Sequence, residues 1–134
     1  MEIIEITIIR NLLKSDEYAR KVLPFLKSEY FDGVFNYFYE EINNFYVEYN
    51  SCPTVETVEI RLGDKQINDA EYVICDEILL SVKADVDSPN IDWLVDETES
   101  FCKDRAYTIA AYEAIDVIES DKSNLRETIP EIFK

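Results

Sequence analysis

The sequence contains no histidine and only two glycines, Gly33 and Gly63, in 134 residues. Without histidine the chain lacks the commonest general base, the commonest metal ligand and every Ser-His or Cys-His catalytic pair. With two glycines neither G-x-x-x-x-G-K-[ST] nor G-x-G-x-x-G can be written, so there is no glycine-rich phosphate cradle. The same scarcity argues against a hairpin-rich all-β fold, which uses Gly in its turns. Cysteines number three, Cys52, Cys75 and Cys102. They form no C-x-x-C pair and read as small, partly buried apolar residues in a reducing compartment.

Positive charge is also scarce: 13 Lys and Arg stand against 29 Asp and Glu, a formal charge of −16. A surface this acidic repels phosphate, which argues against direct, non-specific nucleic-acid binding by this segment, and anionic membranes are disfavoured for the same reason. The opening MEIIEITIIRNLLK is interrupted by Glu2, Glu5 and Arg10. It has neither the basic start of a signal peptide nor the length of a membrane span, so a cytoplasmic protein is expected.

What the chain has is apolar material, 47% of its residues, including nine Tyr, seven Phe and one Trp. That is too much for a disordered acidic tail and suits one folded domain. The first segment is ambiguous by itself: Ile4, Ile6 and Ile8 alternate like a strand, while Ile6, Ile9 and Leu13 fit a helical face. Tyr18, Ala19 and Val22 mark a helix from Asp16, and Pro24 opens a new turn. Val34, Phe38, Ile42, Phe45 and Tyr49 predict a helix over 34–49 at the centre of the core. Val55, Val58 and Leu62 share the next face, with Gly63 expected as a left-handed stop. Asn68 and Glu71 resemble a capping box opening a helix that carries Tyr72, Cys75, Leu79 and Val82 on one side.

From Ile91 to Ile118 apolar residues recur at steps of three and four with no Pro or Gly between them. Such a helix reaches about 42 Å, against roughly 36 Å for the diameter of a compact globule of this length. Its far end is expected to protrude and to need a partner. A break is expected after it, with a new helix starting near Ile129, and the end at Lys134 looks like a cut inside a longer protein. The expected division is a head over 1–88, a long helix over 89–120, and a linker with the truncated start of a returning helix over 121–134.

Candidate chemistry dissolves on inspection. Glu40 with Glu41, and Asp96, Glu97 and Glu99, resemble ligands of a di-metal bundle, but such sites use Glu-x-x-His. Asp85, Asp87 and Asp96 imitate positions of a calcium loop, yet Pro89 and Asn90 occupy its fifth and sixth places, where glycine is needed at the sixth. The Tyr and Phe residues of 30–49 could stack bases, but stacking platforms come with a basic groove. No catalytic, cofactor or metal site is expected.

Several ordered segments resemble one family. Val22-Leu23-Pro24-Phe25-Leu26-Lys27-Ser28-Glu29-Tyr30-Phe31, Val47-Glu48-Tyr49-Asn50-Ser51-Cys52-Pro53-Thr54, Trp93-Leu94-Val95-Asp96-Glu97-Thr98-Glu99 with Arg105-Ala106, and Ile129-Pro130-Glu131-Ile132 are similar to the amino-terminal domain of T-even-type phage replicative DNA helicases, which are DnaB-like. The resemblance implies an all-α fold, a helical head plus a helix hairpin, and a helical first segment. It implies that hairpins pair between subunits, as a dimer or as a hexameric trimer of dimers forming a collar. It also implies docking of primase and helicase loader, with ATP and magnesium confined to a motor domain outside this segment, in the bacterial host's cytoplasm. The candidate self-association residues are Trp93, Leu94, Phe101, Ile109, Tyr112 and Ile118, core packing being the rival role for each. The competing reading is a free-standing acidic inhibitor that mimics DNA, separable by whether a Walker A sequence follows in the reading frame beyond Lys134.

Overall fold

A computed structural model describes residues 3–132, with side chains described through residue 122. The described chain is all-α: α1 (Ile3–Lys14), α2 (Asp16–Val22), a 3-10 turn (Ser28–Tyr30), α3 (Val34–Tyr49), α4 (Val55–Gly63), α5 (Asp69–Lys83) and α6 (Ile91–Ile132). It divides into two units, Met1–Cys102 and Lys103–Lys134.

In the first unit the ambiguous opening is a helix. Its burial decides the matter: Ile8, Ile9 and Leu12 are fully enclosed, a three- and four-residue spacing that no strand could turn to one side. Ser15 caps α2 by accepting from the Tyr18 N–H at 3.1 Å, and Tyr18, Ala19 and Val22 are all fully buried. Pro24 lies in the turn that follows, where the Phe25 and Leu26 N–H groups both donate to Val22 O at 3.1 Å.

Helix α3 is core for its first half only. Val34, Phe35, Phe38, Tyr39 and Ile42 are buried, whereas Phe45 and Tyr46 are half-buried and Val47 and Tyr49 are exposed. The solvent side of α3 is held instead from α4 and the turn after it. The Arg61 guanidinium lies 5.1 Å from the Phe45 ring centre and within 3.7 Å of Glu41 and 3.4 Å of Glu48. Lys65 sits over Tyr37 and reaches both Glu40 and Glu41 at 3.4 Å.

The start of α3 has neither a capping side chain nor an acidic residue in its first turn. A carboxylate from another helix stands there: buried Glu5 of α1 accepts from the Asp32 N–H at 3.2 Å, one residue before Gly33. Gly33 takes φ +55° and ψ −127°, a conformation closed to residues with a Cβ. The helix ends at Asn50 in the left-handed region (φ 53°), its N–H donating to Tyr46 O at 2.7 Å.

The left-handed stop expected at Gly63 is absent. Gly63 ends α4 with a right-handed continuation into Asp64, φ −82°. The last turn closes locally instead, the Asp64 N–H donating to Ile60 O at 3.3 Å and the Lys65 N–H to Leu62 O at 3.1 Å, while the Tyr72 hydroxyl of α5 donates to Lys65 O at 3.1 Å. The capping box is present, with Asn68 Oδ1 accepting from Glu71 N at 2.8 Å and Glu71 Oε1 from Asn68 N at 3.3 Å. At the other end of α5, Arg10 donates twice to Ser81 O (2.8 and 3.2 Å) and Lys14 donates to Ala84 O at 3.1 Å. Two cations from α1 thus close the carbonyl end of α5.

Asn90 opens α6, its side chain accepting from Trp93 N at 3.0 Å. The helix runs on to Ile132, and the linker expected from residue 121 is not seen in the backbone. The physical reason is plain: 91–129 holds neither Gly nor Pro, so nothing local stops the helix.

Candidate interaction surface

Within the first unit, the opening turns of α6 belong to the core. Leu94 and Thr98 are fully buried, Phe101 and Cys102 nearly so. Thr98 donates its hydroxyl proton to Leu94 O at 2.7 Å, so at the 2.6 Å contact with Tyr18 the phenol is the donor. Burial holds the Tyr18 phenol well above its ordinary pKa, which keeps that donor protonated. The Phe31 ring stacks on Tyr39 (5.1 Å between centres) and meets Phe101 at 5.6 Å. Burial, aided by Glu99, pushes the Cys102 thiol up to about 11.

These placements separate the six candidate residues. Leu94 and Phe101 are core side chains of the first unit, where an intramolecular neighbour already covers them, and they offer no surface to a second copy. Trp93, one step round the helix from Leu94, is 53% exposed.

In the second unit Tyr112 and Ile118 are exposed and Ile109 is half-buried. Helix geometry divides this group again. At about 100° per residue, Ile109 and Ile118 stand half a turn apart and do not share a face. Ile118 lies instead on a face with Tyr107, Ala111 and Ala114, spaced four, three and four, and all four side chains are exposed. Tyr107 was legible in the sequence as the start of that spacing. Yet the apolar steps of three and four do not hold one phase along α6, so spacing alone does not single it out. Two small alanines between two large side chains would let a second helix approach closely.

Other chemistry is sparse. Among the described residues no group of three or more His, Cys, Asp or Glu is arranged to hold a metal ion. No described helix is long and apolar enough to cross a membrane. Cys52 is half-buried, Cys75 and Cys102 are buried, and all three are free thiols whose burial raises their pKa. The carboxylates Asp96, Glu97 and Glu99 are exposed on α6.

Comparison with known proteins gives one informative likeness. No family model matches the chain. The chain is 29% identical over 112 residues to a DnaB-like replicative helicase of Enterobacteria phage T4, a match that covers 82% of this chain. It is a distant relationship to a helicase-related family. The matched region spans 23% of the relative, about a quarter of that protein's length.

Proposed function

We propose that this chain is a non-catalytic assembly and partner-docking segment of a phage replicative DNA helicase. The observation that carries the reading is the match to the phage T4 helicase, which runs over most of this chain and only a quarter of the relative. An all-α head followed by a long helix with an exposed apolar face supports it further. In this reading copies associate through the α6 face of Tyr107, Ala111, Ala114 and Ile118, as a dimer or as the dimer unit of a hexameric collar. Primase and helicase loader dock on the assembled segment. ATP and magnesium serve a motor domain elsewhere in the helicase, and the whole acts at the replication fork in the cytoplasm of a bacterial host.

Sedimentation equilibrium tests the assembly. The chain should self-associate, and Tyr107→Asp with Ile118→Asp should weaken that association by about a hundredfold, the cost of two buried charges at ~1.4 kcal/mol or more each. Its circular dichroism and thermal midpoint should stay near those of the parent. A parent chain that remains monomeric at high concentration, or a variant that loses fold and association together, overturns the reading.

A further inference from the structure

The first unit carries a second unpartnered surface, remote in sequence from the α6 face. Val73 and Leu80 of α5 are 58% and 71% exposed. They stand seven residues apart, two helical turns, and therefore on one side of the helix. Asp76 and Glu77, both exposed, occupy the same side between them. Beside Leu80 lies a groove of about 270 Å³ between α4 and α5, lined by Glu59, Asp76, Leu79, Leu80 and Lys83. The one cation in the groove is already matched, with Lys83 Nζ 3.0 Å from Glu59. What remains uncompensated on this face is carboxylate, around an apolar strip that a soluble protein gains nothing by exposing.

We infer that this face of α5 and the α4–α5 groove form the docking site of a basic amphipathic helix on another protein. Two large apolar side chains at a two-turn spacing match the stripe of such a helix, with the groove admitting an apolar side chain beside Leu80. The carboxylates between them select Lys and Arg at the flanks of that stripe. A second copy of this face is the wrong occupant, because pairing it with itself would set Asp76 and Glu77 against like charges. The inference does not depend on the helicase reading, since it rests on a different surface from the α6 face of self-association and on that surface's own chemistry.

The test uses the whole chain and a fluorescein-labelled Leu/Lys amphipathic peptide of about 18 residues, five helical turns, read by anisotropy. Its Leu/Glu counterpart serves as the comparison. The Leu/Lys peptide should bind saturably and the Leu/Glu peptide should not. Leu80→Asp, and separately Asp76→Lys with Glu77→Lys, should each weaken binding by about tenfold or more. The same charge change at Asp96 and Glu97 on α6 should weaken it by less than about threefold, the effect of net charge alone. Leu80→Ala, with circular dichroism, guards against a folding defect and should weaken binding in the same direction. Equal loss in the α6 control, or no loss in the Leu80 variants, overturns the site. A chain whose self-association is abolished by Leu80→Asp shows that a second copy is the occupant and overturns it as well. Loss of association in the Tyr107 and Ile118 variant with peptide binding intact leaves this inference standing.

Discussion

The two units of this chain use the same helix in opposite ways. In the first, α6 contributes Leu94, Thr98 and Phe101 to an interior already filled by α1, α2 and α3. In the second, side chains of the same kinds, Tyr107, Tyr112, Ile115 and Ile118, face solvent. The local sequence barely distinguishes the two stretches, since both carry apolar residues at helical spacing among carboxylates. What differs is whether the chain supplies a covering neighbour. An apolar helical face is thus a demand for burial, and its sequence does not say whether the answer comes from within the molecule or from outside it.

That contrast can be broken from either side. The largest effect is expected in the first unit, where Phe38→Ala, at a fully buried position, should cost about 3–5 kcal/mol in urea unfolding. A loss below ~1 kcal/mol would mean that the core collapses around the cavity. Next comes the loss of association from paired Tyr107→Asp and Ile118→Asp, which should leave the same unfolding curve nearly unmoved. Ile109→Asp, half a turn from Ile118, should weaken association less than the pair does.

A smaller effect belongs to the polar contact that ties α2 to α6. Tyr18→Phe removes the donor to Thr98 and should cost about 1 kcal/mol, and Asn68→Ala, which removes the α5 cap, a similar ~1 kcal/mol. The smallest sharpens the burial contrast by pH. The Cys102 thiol is raised to about 11 in the folded chain, so folding favours its neutral form. That contribution is complete below the unfolded value, about 8.5, and is lost as pH rises toward 11. Urea unfolding at successive pH values should therefore show stability falling above about pH 9 in the parent, and less steeply in Cys102→Ala. At neutral pH a thiol reagent should label half-buried Cys52 well before Cys75 and Cys102.

Much of the fold was legible because helices announce themselves locally. The bounds of the helix over 34–49 and the Asn68–Glu71 box are recovered residue for residue, although Phe45 and Tyr49, expected on the core stripe, are half-buried and exposed. Burial was less legible. Leu94 and Phe101 were candidates for an intermolecular surface, and only the tertiary structure shows them enclosed, Phe101 against the Phe31 ring. Gly63 shows the same limit in the backbone, since α4 ends in a right-handed turn closed by the Asp64 and Lys65 N–H groups and not in the left-handed stop that glycine was expected to make. The α4–α5 groove had no signal in the sequence, since it depends on how α4 and α5 pack.

The amino-acid sequence by itself determined that this chain is acidic, helical and without histidine or a glycine-rich phosphate cradle, because those properties follow from residue types and short spacings. Tertiary structure alone decided which apolar faces are closed. Closure depends on elements far apart in the chain, such as Arg10 and Lys14 reaching the end of α5 or Glu5 standing at the start of α3. Helical periodicity is a property of neighbours along the chain, whereas burial is a property of neighbours in space.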